Sequence, residues 1–213
     1  GLSPILYVDL DAHHGDGVQD ALRDDARVHT ISIHERGRWP HSGAADDRGG
    51  GRSWNFPVPA GFNDAELGFL MHAAVLPVAA RIAPAAVVVV CGTDALAGDP
   101  LSGLALGNVA LWNAVAALVD VAPAAVVLGG GGYNPWTLAR AWTGLWARLS
   151  GRPIPDRLPD AAHAILAALS CDLIDEDRID PAWLTTLADA PRAGTVRAEI
   201  RRYALGAETV ATC

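Results

Sequence analysis

The 213-residue chain has no lysine; its sixteen basic residues are all arginine, set against 24 acidic ones, for a net charge of −8. A nucleic-acid-binding body normally carries a basic stripe, and no Arg run exists here, so no direct nucleic-acid partner is expected. Cysteine is scarce as well. Cys91, Cys171 and Cys213 are too few and too scattered for a disulfide framework or a thiolate zinc knuckle, which makes a reducing cytoplasm the expected compartment. The longest apolar run, Ala85 to Cys91, falls far short of the roughly 20 residues that span a bilayer. The opening Gly1-Leu2-Ser3-Pro4 has no basic n-region of the kind a signal peptide needs. It leads straight into a core strand, as if the fold began further upstream. Neither a repeat nor a nucleotide-binding G-x-G-x-x-G or P-loop is present.

What is present is a half-hydrophobic sequence, 51% of it apolar, able to build a packed core. Near-continuous apolar runs at Ile5–Val8, Val28–Ile33, Ser53–Val58, Ala85–Cys91 and Ala124–Leu128 read as strands covered on both faces. Helical patterns separate the last three: Asn63–Ile82, capped by Asn63-Asp64 and ending before Pro84, then Asn108–Val119. A further helix is expected at Pro135–Leu149, with proline in its first turn. Strand alternating with helix predicts an α/β fold around a parallel sheet. His34–Arg52 reads as a long loop, and such loops are usually functional. After Gly151, prolines 153, 155 and 159 announce weaker helical segments at 161–170, 181–188 and 192–205, expected as an appendage (151–213) to a main portion (1–150).

Three polar clusters each follow a strand, where parallel sheets bind ligands. In Asp9-Leu10-Asp11-Ala12-His13-His14-Gly15-Asp16-Gly17, extended backbone puts Asp9, Asp11 and His13 on one face. Two carboxylates and an imidazole converging there would repel and desolvate one another without a cation among them. Such ligands suit zinc or a similar divalent metal; the alternative is a set of solvated turn residues. In Cys91-Gly92-Thr93-Asp94-Ala95-Leu96-Ala97-Gly98-Asp99-Pro100-Leu101, Asp94 follows a very apolar strand and could supply a further ligand, while Asp99-Pro100 reads as turn chemistry. In Gly129-Gly130-Gly131-Gly132-Tyr133, four glycines permit close backbone approach and deliver a phenol to the same sheet edge.

Together these motifs, in this order over residues 5 to 150, resemble the histone deacetylase family of zinc amidohydrolases, with bacterial acetoin-utilisation-type members the nearest in flavour. The resemblance implies a three-layer arginase/deacetylase-like fold with a central parallel sheet, five of about eight strands being present. It implies Asp11, His13 and Asp94 as zinc ligands, with ferrous iron also tolerated by such a set, and Tyr133 as donor to the substrate carbonyl. Asp9 and Ser32 match a structural potassium site. Trp39, Leu101 and Gly132 fall where an acyl-lysine tunnel is lined, although Trp39-Pro40-His41-Ser42-Gly43 stands where relatives carry Phe-Pro-Gly-Thr-Gly. By position Asp9 and Asp16 resemble carboxylates that orient two adjacent histidines upstream of the first motif. Those histidines are not in this sequence, so the chain is expected to lack its general base and to expose a sheet edge that a missing N-terminal half or an oligomer partner would cover.

The implied activity is removal of acetyl groups from an acetyl-lysine protein or a small acetylated amide. A non-catalytic metal-binding remnant and an acetylpolyamine amidohydrolase are the alternatives. The related arginase arrangement, with two metals, needs bridging carboxylates at positions 15 and 96; Gly15 and Leu96 stand there. Of the remaining histidines, His14 is expected behind the site, His34 at its border and His41 near its mouth, with His29, His72 and His163 unassigned.

Overall fold

The computed structural model describes residues 1–209, and the side chains of residues 1–203; Cys213 lies outside the described residues. Five strands form one sheet in the order β3-β2-β1-β4-β5, every neighbouring pair parallel. They are β1 (Ile5–Asp9), β2 (Val28–Glu35), β3 (Ser53–Val58), β4 (Ala86–Cys91) and β5 (Ala125–Gly129). Helix α1 (Asp16–Ala21) joins β1 to β2, and a long loop with a short turn of 3₁₀ helix at Gly49–Gly51 joins β2 to β3. Leu6, Val8, Ile31, Val58, Val87 and Val89 are fully buried at the sheet's centre. The α/β class and the parallel sheet are as expected.

Between β3 and β4 the helical stretch expected as one piece is divided. Helix α2 (Asp64–Leu70) and α3 (Leu76–Ile82) flank a π turn at Met71–Val75. Pro77 lies at the start of α3, and a proline without an N–H removes one i→i−4 bond, so a widened turn just ahead of it absorbs the mismatch. Asn63 caps α2 as the sequence predicts, accepting from Ala65 N and Glu66 N while Glu66 returns a bond to the Asn63 amide. Ala83 ends α3 in the left-handed conformation, immediately before Pro84. By length and composition alone Asp64–Ile82 is apolar enough to cross a bilayer. Its buried residues, among them Leu67, Leu70, Ala74, Val75 and Val78, belong to the main core, and interior helices meet the same criterion.

Helix α4 (Asn108–Val119) precedes β5, and α5 (Pro135–Leu149) follows it. Trp112 donates to the Ala141 carbonyl at 2.8 Å and its ring fills the space over Gly144. Beyond α5 come α6 (Asp160–Ala167), α7 (Pro181–Thr185) and α8 (Ala198–Thr209). Helix α8 begins six residues later than the 192–205 expectation; ahead of it Arg192 N and Arg197 N donate to the carboxylates of Asp64 and Glu66. Leu166, Ile174 and Trp183 build a second cluster around Trp136, while Leu187 and Ile200 reach the main core. Arg140, almost fully buried, pairs with Asp189 at 2.8 Å and donates to Thr186 O. Strand β5 is the exposed edge, with Val126 and Leu128 about half accessible and Trp146 of α5 beside them at 63%.

Candidate metal centre and cleft

The carboxyl ends of β1, β4 and β5 stand side by side, and the three polar clusters meet there. Beyond β1 the chain bends at Asp11–His13 while remaining tied to the sheet, Leu10 N bonding Val90 O on one side and Glu35 N bonding Ala12 O on the other. Asp11, His13 and Asp94 each bring one ligand atom into a group in which all lie within 4.8 Å of one another. His13 Nδ1 sits 3.0 Å from Asp11 Oδ1 and 2.9 Å from Asp94 Oδ2. Asp9 does not join them, contrary to the alternation argument. Its carboxylate accepts from Asp11 N and from the Tyr7 hydroxyl, both at 3.0 Å, so it closes a local turn instead of pointing at the cluster.

Backbone amides hold the two ligand carboxylates. Asp11 accepts from His13 N at 2.8 Å and from Gly131 N, and Asp94 accepts from Ala12 N at 3.0 Å. The glycines of the β5 loop are required by this contact. A Cβ on Gly130 would crowd Asp11 Oδ2, and one on Gly131 would overlap Asp94 Oδ2. Asp94 is fully buried, and burial together with the facing Asp11 pushes its carboxyl up to about 7. Burial likewise lifts Asp9 to about 6. Two carboxylates pressed together with one imidazole, in a cradle that no side chain could fill, have the donor chemistry and the charge a divalent cation needs.

In front of the cluster lies a cleft of about 560 Å³, lined by His13, Tyr133, Trp39, Leu101, His41 and the β2 end. Tyr133, Trp39 and Leu101 therefore line one cleft together with His13. Gly132 does not line the cleft; it packs against Thr93 and Leu138. Partial burial, then Asp94, Asp11 and Asp99, raise the Tyr133 phenol above its ordinary value, so it keeps its proton at neutral pH. Ser32 pairs with Asp9 in strand register, but its hydroxyl is bonded to His34 Nδ1 at 2.9 Å. Among the described residues the Asp16 carboxylate takes only the Gly17 amide.

His34 is buried behind the cleft, bonded to Ser32 and Gly43 O, and His14 lies beside it, bonded to Ser42 and Gln19. His41 does line the cleft mouth. Glu35 is a site residue the sequence reading missed. It forms a paired contact with Arg38 and accepts from Gly103 N at 2.7 Å, tying the β2 loop to the segment after Leu101. Only the Glu35-x-x-Arg38 spacing hinted at it.

Residues 1–149 match the family model described as "Histone deacetylase domain". "Histone deacetylase 8" of Xenopus tropicalis is 34% identical over 162 residues, 73% of this chain and 44% of that protein. The Danio rerio protein of the same name is 35% identical, over 73% and 43%. A crystal structure of an HDAC homolog from Aquifex aeolicus superposes with a TM-score of 0.89 at 37% identity, covering 98% of this chain and 58% of that one. The chain thus spans about half the length of the curated relatives it matches. A domain match over 149 residues places the chain in the histone deacetylase family.

Proposed function

We propose that this chain carries the metal centre and substrate cleft of a zinc-dependent amidohydrolase that removes acetyl groups from acetyl-lysine. The observation that carries the reading is the convergence of Asp11, His13 and Asp94 within 4.8 Å, on a cleft that also presents Tyr133. Those three residues would hold zinc, or ferrous iron, which when bound supplies a Lewis acid for the amide carbonyl and an acidified water. Tyr133, kept protonated, donates its O–H to the carbonyl oxygen and to the oxyanion that follows. Trp39 and Leu101 offer apolar walls to the alkyl part of the substrate.

Neither Asp9 nor Asp16 accepts a hydrogen bond from a histidine among the described residues, so the proposal assigns no proton-transfer role to either. That contribution is worth about 10² to 10⁴ in rate. The same observation favours the second reading, a metal-binding module without turnover. Potassium at Asp9 and Ser32, the acetoin-utilisation subgroup, a cytoplasmic setting and a polypeptide covering the β5 edge belong to the same proposal.

The test is turnover by the zinc-loaded chain of an acetyl-lysine peptide and of acetylspermidine side by side. Tyr133→Phe and Asp94→Asn serve as controls, and SAHA, with which an HDAC homolog has been solved, as ligand. Peptide hydrolysis that falls in both variants supports the deacetylase. Preference for acetylspermidine moves the reading to acetylpolyamines. Zinc binding lost in Asp94→Asn but no turnover by the parent chain leaves the metal-binding module.

A further inference from the structure

We propose that Asp99 is a positioning residue for the Tyr133 phenol, joining the loop that carries ligand Asp94 to the loop that carries the carbonyl donor. The inference rests on the deacetylase reading for what Tyr133 does, but not for how it is held.

Asp99 has the appearance of an ordinary turn residue, since its Oδ1 accepts from Leu101 N at 2.9 Å, two residues on. Its other oxygen does something a turn does not require. Asp99 Oδ2 accepts from Tyr133 N at 2.7 Å, 34 residues away on the loop beyond β5. The carboxylate is 6% exposed, and among the described residues it has no ion-pair partner. A buried carboxylate without a cation is costly unless hydrogen bonds satisfy it. Here the two oxygens face N–H donors from separate loops, Leu101 on one and Tyr133 with Asn134 on the other, a demand that an aspartate meets and an asparagine, with one acceptor and one donor group, does not.

Neighbouring contacts fix the same join. Asn134 caps α5 with its Oδ1, accepting from Trp136 N and Thr137 N, while its Nδ2 donates to Gly98 O at 3.0 Å. Gly98 sits at φ +90 with its α-carbon against the Trp183 ring, so the bend presenting Asp99 cannot slide. The Tyr133 side chain is 41% exposed. Its aim at the cleft therefore depends on where its backbone is pinned, and Asp99 is the pin. Leu101, which also lines the cleft, donates its N–H to the same carboxylate, so Asp99 ties two lining residues to one point.

The experiment is a double-mutant cycle on the zinc-loaded chain, pairing Asp99→Asn with Tyr133→Phe, with hydrogen exchange read at the Tyr133 amide. Asp99→Asn is expected to lower kcat about 10- to 100-fold, with KM and zinc affinity within about twofold of the parent. In the Tyr133→Phe background the same change should cost less than about twofold, because the group it positions is gone. Protection of the Tyr133 amide should fall while that of Ala12, bonded to Asp94, stays. An equal kcat loss in both backgrounds, or unchanged protection at Tyr133, overturns the proposal. Absence of turnover in the parent chain would instead count against the deacetylase reading, and exchange at Tyr133 alone would then decide the role of Asp99.

Discussion

Gly131→Ala is the sharpest perturbation of the metal centre that leaves every ligand in place. The Gly131 amide donates to Asp11, and its carbonyl accepts from Thr93 N at 2.7 Å and Asp94 N at 3.3 Å. An added Cβ would overlap Asp94 Oδ2 and stand 2.8 Å from Asp94 Cγ, where ordinary contact begins at 3.4 Å. The carboxylate must retreat by more than half an ångström. Asp94 is fully buried and held by Ala12 N from the other side, so it has little room to do so. Overpacking of this kind costs about 1–3 kcal/mol, and a strained charge-assisted bond to Asp11 adds about 1.5–3 kcal/mol. Disturbing groups that orient a ligand lowers metal affinity 10- to 100-fold. Because a ligand itself moves here, a loss of about 100-fold is expected, near 3 kcal/mol. Zinc affinity by competition with a chromogenic chelator measures it, with Gly17→Ala as control, since a Cβ there meets nothing within 4 Å. If Gly131→Ala binds zinc within about threefold of the parent, the carboxylates are not held as described and the reasoning fails.

Removing zinc with a chelator should lower the unfolding free energy by about 2.7 kcal/mol relative to zinc at a hundred times its Kd. Asp94→Asn should abolish that increment in a thermal melt. Arg197→Ala should cost about 3 kcal/mol in urea unfolding, since Glu66 is fully buried and takes two 2.6 Å bonds from that guanidinium; a loss under about 1 kcal/mol would contradict this. Burial, with His14 beside it, presses His34 from 6.5 to about 4. The unfolded ring protonates first as pH falls, so the stability it contributes is present above pH 6.5 and lost as pH drops through 4, up to about 3 kcal/mol. Asp9, lifted by burial, acts in the opposite sense over part of that range. The readout is therefore the difference between parent and His34→Gln denaturation across pH, and a flat difference refutes the assignment.

The parts of the fold legible in the sequence were those fixed by local chemistry. Ser53–Val58, Asn108–Val119 and Pro135–Leu149 lie where the apolar pattern and Pro135 put them. The metal cluster was legible because two carboxylates and an imidazole crowded at strand ends call for a cation, and the family resemblance singled out Asp11, His13 and Asp94, which do converge. Helix α1 went unread, as its six residues have no side-chain cap and sit inside a motif dominated by ligand types. The departure of Asp9 from the shared face depends on Tyr7, whose hydroxyl draws the carboxylate back along the strand. Glu35 and Asp99 were invisible as site residues for a common reason. Their decisive partners, Gly103 and Tyr133, are distant in sequence and offer only a backbone N–H, which any residue type provides.

The order of the sheet accounts for where the ligands meet. Ligands arrive from β1 and β4, which are adjacent, and the phenol from β5, next beyond β4, so three consecutive strand tips serve one point. A second ion of the arginase kind would need carboxylates at positions 15 and 96. Gly15 is pressed against the Asp9 carboxylate, where even a Cβ would collide. Leu96 is 1% exposed and bridges to Leu106 through the backbone, its side chain part of the main core. A carboxylate at 15 would be expelled by Asp9 and one at 96 would have to displace core packing. These two positions are closed by sterics and burial as well as by residue type, so the carboxylates that an arginase-like second ion needs have no place here.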